Sequence, residues 1–123
     1  MVNLLVVDDE IEICDFLRNF FSEKGYDVFF ATNGEQALTQ SRQKHPDLVL
    51  LDVRMPGISG LEVLHRLRNE ENPPKVVMIT AVEDREVIEE AKRLGAEDYI
   101  IKPFALDYLE SVVLRKVSTL LNA

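Results

Sequence analysis

The sequence has little of what several protein classes require. Its 123 residues include one cysteine, Cys14, which cannot form an intramolecular disulfide. Acidic residues outnumber basic ones by 22 to 14, and the net charge of -8 argues against direct nucleic-acid binding, which needs clustered Lys and Arg. No apolar run approaches membrane-spanning length, and no basic segment with an apolar stretch marks a secretory signal. These absences favour a reduced, cytoplasmic protein without a membrane segment.

Short apolar runs alternate with helical patterns along the whole chain. With 46% apolar residues, the chain fits one domain with a single core. This alternation predicts an α/β fold, a doubly wound parallel sheet of five strands with helices on both faces. The predicted strands are residues 4–7, 28–31, 48–51, 76–79 and 99–101.

Local signals mark the helices between these strands. The first shows apolar residues at three- and four-residue spacing and stops at Gly25. Two capping boxes predict further helix starts. They are Thr32 to Glu35 and Ser59 to Glu62, with starts near Asn33 and Gly60. The last helix has an apolar face of Leu106, Leu109, Val112, Val113, Val117, Leu120 and Leu121.

Reactive side chains follow four of the five predicted strands. Asp8 and Asp9 follow the first strand, and Asp52 follows the third. Thr80 and Lys102 follow the fourth and fifth. Because ligands of open parallel sheets bind at the carboxyl ends of the strands, these groups are expected at one binding edge.

The predicted edge concentrates negative charge that needs compensation. Two carboxylates about 4 Å apart repel by roughly 4 kcal/mol at an effective dielectric near 20. Lys102 supplies one positive charge, and a set of oxygen ligands without His or Cys suits Mg²⁺. A phosphoryl group then completes the arrangement. Asp52 attacks it in line, while Mg²⁺, Thr80 and Lys102 neutralise the charge on its oxygens.

Each of these residues also has an ordinary structural interpretation. Asp8 or Asp9 alone could cap a helix, Asp52 could begin a turn, and Thr80 could bond to backbone. Complementary groups at four strand ends are what favours a functional site. Three other residues of reactive type are given no role in the site. His45 and His65 are expected at the surface or its boundary, and Cys14 is expected in the core.

Taken together, the motifs resemble the receiver domain of bacterial two-component response regulators. The matching segments are Asp8-Asp9, Asp52 to Gly57, Thr80-Ala81 and Lys102-Pro103-Phe104, in that order along essentially the whole chain. The resemblance implies a single receiver domain over residues 1–123, with a CheY-like, flavodoxin-like fold and strand order 2-1-3-4-5. It implies two partners: a sensor histidine kinase or phosphotransfer protein, and an output partner or fused effector domain.

The resemblance also implies a role for each acid. Asp52 is expected to be the phosphoacceptor, which takes its phosphoryl group from a phosphohistidine of the kinase. Asp9 and Asp52 are expected to bind Mg²⁺ directly with the backbone carbonyl of Arg54, whereas Asp8 acts largely through water. Such a protein is not an enzyme beyond Mg²⁺-dependent self-phosphorylation and autodephosphorylation.

Further residues are expected to hold the phosphoryl group and to signal its presence. Thr80 and the backbone N–H of Ala81 bind it, Lys102 pairs with it, and a cis peptide precedes Pro103. Thr80 and Tyr99 form the switch. The implied output surface is the fourth helix, fifth strand and fifth helix, with a phosphorylation-dependent dimer as one use of it.

Two side chains are expected to influence how long the phosphoryl bond lasts. Arg54 and Val82 flank the path of a hydrolytic water, and neither orients that water as a carboxylate or amide would.

Three other functions fit parts of the sequence. A phosphatase of the haloacid-dehalogenase type also uses Asp, Thr or Ser, Lys and Mg²⁺, but its nucleophile follows the first strand in an Asp-x-Asp pattern. A flavodoxin-like electron carrier needs a phosphate-binding loop rich in Ser, Thr and Gly where this chain has acids. An interaction module without phosphorylation has no need of the five site residues.

Overall fold

The computed structural model describes residues 1–121, with side chains up to Thr119. Five parallel strands form one sheet in the order β2-β1-β3-β4-β5, so the predicted fold class and strand order are confirmed. Among the described residues, no helix is long and apolar enough to cross a bilayer. The elements are β1 (Asn3–Val7), α1 (Ile11–Glu23), β2 (Asp27–Ala31), α2 (Gly34–Lys44), β3 (Leu48–Leu51), α3 (Gly60–Arg68), β4 (Lys75–Thr80), α4 (Arg85–Arg93), β5 (Asp98–Ile101) and α5 (Leu106–Leu121).

The sheet is buried on both faces because successive strand residues point to opposite sides. Leu4 and Val6 of β1 pack with α1 and α5, and Leu5 and Val7 pack on the opposite face with α2, α3 and α4. Every residue of β3 is buried, since this strand lies at the centre of the sheet. Burial on both faces explains why the central strands are continuous apolar runs rather than alternating ones.

One of the two predicted capping boxes is wrong by one residue. Asn33, not Thr32, is the N-cap of α2, and its side chain accepts a hydrogen bond from Gln36 N at 2.9 Å. The Gln36 side chain in turn accepts from the Thr32 backbone N–H at 3.0 Å. Asn ranks above Thr as an N-cap, which explains the shift. Helix α2 therefore starts at Gly34.

The second predicted cap is confirmed. Ser59 Oγ accepts from Glu62 N at 3.3 Å, and α3 begins at Gly60. The Glu62 carboxylate pairs with Arg66 at 3.0 Å, four residues further along the helix.

The apolar face of α5 docks on the sheet as predicted for the described side chains. Leu109, Val112, Val113 and Val117 are buried. The side chains of Leu120 and Leu121, which belong to the same predicted face, lie outside the described part.

Candidate functional site

The backbone holds three of the predicted site residues at the carboxyl edge of the sheet. Each lies one residue past the end of a strand and donates its backbone N–H to the neighbouring strand or its last residue. The hydrogen bonding of the sheet therefore continues for one bond beyond each of these strands. These bonds run from Asp8 to Ala31 O (3.1 Å), from Asp52 to Val7 O (3.0 Å) and from Lys102 to Thr80 O (2.9 Å). These backbone hydrogen bonds fix the Cα position from which each side chain extends.

Lys102 joins the two buried acids of this edge. Its Nζ donates to Asp8 Oδ2 at 2.6 Å and to Asp52 Oδ2 at 3.2 Å. The side chains of Asp8, Asp52 and Lys102 are 4%, 10% and 16% exposed, so solvent screens their charges only weakly. Burial alone would lower the pKa of Lys102, but the hydrogen bond to Asp8 and the charges of both acids raise it. The protonated form of Lys102 is therefore stabilised.

The acids form a cluster open on one side. One carboxylate oxygen from each of Asp8, Asp9 and Asp52 lies within 4.8 Å of the others. Asp9 is exposed, whereas the other two are buried. Burial raises the pKa of Asp8, although hydrogen bonds from Lys102 and from the backbone N–H of Glu10 oppose that shift. One ammonium thus faces three carboxyl groups, which leaves the cluster with excess negative charge.

A glycine brings α3 against the backbone of Asp52, a feature absent from the sequence prediction. A Cβ at Gly60 would lie 1.9 Å from the carbonyl oxygen of Asp52. The Gly60 N–H donates to Val53 O at 2.7 Å. The available signal was a weak helix former at the first position of a helix. No larger residue fits at this position unless the backbone at Asp52 or helix α3 moves.

Val82 connects the two predicted switch residues through its backbone. Its N–H donates to Thr80 Oγ1 at 3.2 Å, and its carbonyl accepts from the Tyr99 hydroxyl at 2.8 Å. Burial, and then the charge of Asp52, raise the pKa of Tyr99, so the hydroxyl keeps its proton for this bond. The Val82 side chain itself is buried in the core.

The remaining predicted site residues lie around this centre. Ala81 and Arg54 are both exposed, in the loops that follow β4 and β3. The peptide bond between Lys102 and Pro103 is cis. His45 caps the C-terminus of α2 in the left-handed region, at the opposite edge of the sheet.

Cys14 lies in the core, as predicted, and also contacts the site backbone. Its Sγ donates to Asp8 O at 3.3 Å and is fully buried. Burial raises the pKa of the thiol from 9.0 to about 11. The folded protein therefore keeps this proton at a pH where the unfolded chain loses it.

The raised pKa of the Cys14 thiol predicts a pH-dependent loss of stability. Because the unfolded state ionises first, the free energy of unfolding should fall as pH rises from about 9 to 11, by roughly 2 kcal/mol for this group. Urea unfolding of wild type and Cys14→Ala across this range measures it, since the other titrating groups cancel in the difference. Parallel pH profiles for the two proteins would refute the prediction.

Comparison with known proteins agrees with the geometry of this edge. A model of the response regulator receiver domain matches residues 4–114. The chain belongs to this family. As a receiver domain it is the phosphoacceptor module of a two-component system and not an enzyme in the ordinary sense.

Relatives of this receiver domain differ in length. It is 39% identical over 110 residues to sporulation initiation phosphotransferase F of Bacillus subtilis, with 89% of each chain covered. It is 41% identical over 112 residues to the regulatory protein AtoC of Escherichia coli. That alignment covers 91% of this chain but only 24% of AtoC. Response regulators that carry a receiver together with much additional sequence are thus among its relatives.

Solved receiver structures match nearly the whole chain. The response regulator TrrA of Thermotoga maritima, determined in complex with Mg²⁺-BeF, has a TM-score of 0.84 at 37% identity and covers 94% of this chain and 99% of its own. A CheY-like receiver domain protein of Methanospirillum hungatei has a TM-score of 0.91 at 25% identity, with 100% of this chain and 99% of the other covered.

Proposed function

We propose that Asp52 is the phosphoacceptor and that residues 1–123 act as one receiver domain. The observation that carries this proposal is the bridge of Lys102 between Asp8 and Asp52 beside a third acid, Asp9. Asp52 is buried, its backbone N–H donates to Val7 O, and its carboxylate accepts from Lys102 Nζ, so the carboxylate has a defined direction. An oriented carboxylate next to a fixed cation suits nucleophilic attack on phosphorus.

The donor set of the acid cluster fits Mg²⁺. Its ligands are carboxylate oxygens without sulfur or imidazole, and the cluster carries more negative charge than Lys102 neutralises. Asp9 and Asp52 would hold the ion with the backbone carbonyl of Arg54, and Asp8 would act largely through water. When bound, the ion supplies positive charge to the phosphoryl oxygens. TrrA, determined with Mg²⁺-BeF, provides a precedent within the family.

The protein groups around Asp52 have complementary tasks during transfer. Lys102 pairs with a phosphoryl oxygen as the developing negative charge grows, and the Ala81 N–H and Thr80 hydroxyl donate to the others. For Thr80 this would require rotation of the side chain toward Asp52, away from the Val82 N–H from which Oγ1 now accepts. Asp52 supplies the electron pair of the new O–P bond, and the leaving group takes the pair of the broken bond.

That rearrangement of Thr80 supports a switch toward the output face. Tyr99 is tied to the same loop through the Val82 carbonyl, so movement of Thr80 changes the partner of Tyr99. We place the output surface on α4, β5 and α5, where it would bind an effector domain, an output partner or a second receiver. The phosphoryl source would be a cytoplasmic sensor histidine kinase or phosphotransfer protein.

Mass spectrometry tests the proposed chemistry. The protein is incubated with acetyl phosphate, with Mg²⁺ or with excess EDTA, and its intact mass is followed. We expect one phosphoryl group per chain, formed with Mg²⁺ and not with EDTA. Catalytic turnover of phosphate esters would instead support the phosphatase alternative.

Arg54 predicts a long-lived phosphoryl bond. Its exposed side chain lies two residues past Asp52 and cannot accept a hydrogen bond from an attacking water. Replacing Arg54 by Asn supplies an amide that can orient this water, so first-order dephosphorylation should become about tenfold faster, below the 10²–10⁴-fold of full acid–base assistance. Loss of phosphate from purified phosphoprotein measures the rate, with Arg85→Asn as a distant control. A slower rate in Arg54→Asn would contradict the prediction.

A further inference from the structure

Strand β2 forms one open edge of the sheet. It pairs with β1 on one side, and no strand of the described chain pairs with it on the other. The opposite edge of the sheet is β5, which belongs to the proposed output surface. A strand edge with unpaired backbone groups is a template on which another strand can add. The edge at β2 is therefore available to a partner while the output surface stays free.

The backbone groups of β2 that point outward can be identified from its pairing with β1. The Asp27 N–H donates to Val2 O at 2.9 Å. Because a parallel ladder bonds alternate residues of a strand, Phe29 also faces β1, and Val28 and Phe30 direct their N–H and carbonyl groups away from the sheet. No turn or loop backbone in the described part of the chain bonds to these two residues.

Charged side chains flank the aromatic residues of this edge. Lys44 Nζ lies 5.0 Å from the centroid of the Phe29 ring on one face of the sheet, and Arg18 Cζ lies 5.0 Å from that of Phe30 on the other. Asp27 is exposed and shares a face with Phe29, two residues along the strand. Neither Asp27 nor Lys44 forms an ion pair with another described residue.

The backbone of this edge is complementary to itself. If β2 pairs antiparallel with β2 of a second copy so that Phe29 lies opposite its equivalent, Val28 lies opposite Phe30 on both sides of the two-fold axis. Each member of that pair has outward backbone groups, so it would donate to and accept from the other. The two Phe29 residues would occupy the position without hydrogen bonds, where cross-strand side chains approach most closely.

The same two-fold axis brings the unpaired charges together. Asp27 would lie on the same face as Phe29 of the second copy and next to it, and that ring carries Lys44. Opposite charges at neighbouring cross-strand positions stabilise a sheet, and like charges destabilise it. An anion and a cation on either side of the axis suit an isologous interface, in which each copy supplies both members. This symmetry favours a second copy over an unrelated peptide strand.

We propose that β2 pairs antiparallel with β2 of a second copy, in a reversible dimer that needs no phosphoryl group. The proposed phosphoacceptor lies at the carboxyl edge of the strands and takes no part in this contact. The dimer is thus separate from any dimer formed through the output surface of α4, β5 and α5.

Exchange of the charges tests the proposed pairing. Sedimentation velocity of the unphosphorylated protein over a range of concentrations should show a monomer–dimer equilibrium. Asp27→Lys and Lys44→Glu should each raise the dimer dissociation constant about tenfold, because attractive pairs on both sides of the axis become repulsive. The double variant exchanges the two charges and should return to within about threefold of wild type.

A proline tests the outward backbone groups. Val28→Pro removes one outward N–H from each copy, and edge strands tolerate proline where the N–H faces solvent. It should raise the dissociation constant at least about tenfold. Val28→Thr keeps the N–H and should stay close to wild type. Circular dichroism establishes that each variant is folded, and the charge exchange decides the inference if Val28→Pro is not.

Four results would overturn the inference. A wild-type protein that stays monomeric at the highest concentration it reaches in solution has no such dimer. Equal association of wild type and the charge-reversal variants would place the dimer on another surface. A dimer that forms only after acetyl phosphate is added would belong to the output surface. Tighter association of Lys44→Glu than of wild type would show that Lys44 keeps the edge unpaired, which is the common use of lysine at a strand edge.

Discussion

Asp52→Asn is expected to acquire no detectable phosphoryl group from acetyl phosphate in the presence of Mg²⁺. The substitution keeps the size and one oxygen of the side chain but removes the anionic nucleophile. The rate should fall by at least about 10³-fold, as it does when an enzyme loses its catalytic nucleophile. Intact mass measured over time reports the loss.

A matched control separates loss of the nucleophile from a general change of charge. Asp107→Asn makes the same chemical change at an exposed position in the first turn of α5. It should be phosphorylated at the wild-type rate. Equal phosphorylation of Asp52→Asn and wild type would remove Asp52 from its proposed role.

Lys102→Met is expected to weaken both the fold and the phosphoryl transfer. The substitution leaves Asp8 and Asp52, which share one ammonium within 2.6 and 3.2 Å, without a cation. Breaking a buried ion pair on one side costs about 3–5 kcal/mol, and the open side of this cluster favours the lower end. Loss of a charge that stabilises the transferring group should slow phosphorylation by about 10²-fold.

Urea unfolding with and without Mg²⁺ measures the first of these effects. Mg²⁺ should stabilise Lys102→Met more than it stabilises wild type, since the ion replaces the missing charge. Lys116→Met is the control, because its pair with Glu97 is long, at 3.9 Å, and partly exposed. That variant should change by less than about 1 kcal/mol. Equal stability changes for the two lysines would contradict the electrostatic role of Lys102.

The parallel sheet and its reactive edge could be predicted because they depend on local patterns. Leu48–Leu51 is an uninterrupted apolar run, which is typical of a strand covered on both faces. The connection rules of parallel sheets then bring the residues after each strand to one edge. Asp8, Asp52 and Lys102 could be expected together for this reason, before any distance between them was known.

The contacts that orient this edge depend on packing between distant segments and could not be predicted. The approach of Gly60 to the Asp52 carbonyl requires the position of α3 relative to β3. The Tyr99 bond to Val82 spans 17 residues and depends on the path of the β4–α4 loop. The shifted cap of α2 was a choice between two adjacent capping residues, Thr32 and Asn33, which local propensity separates by only a few tenths of a kcal/mol.

Direct location of the phosphoryl group tests the central claim. The protein is phosphorylated with acetyl phosphate and Mg²⁺ and treated with borohydride, which reduces an aspartyl phosphate to homoserine. Peptide mapping then identifies the modified residue. The account predicts homoserine at position 52, with Asp8 and Asp9 unmodified. Homoserine at either of those positions, or a phosphoryl group that resists borohydride, would contradict it.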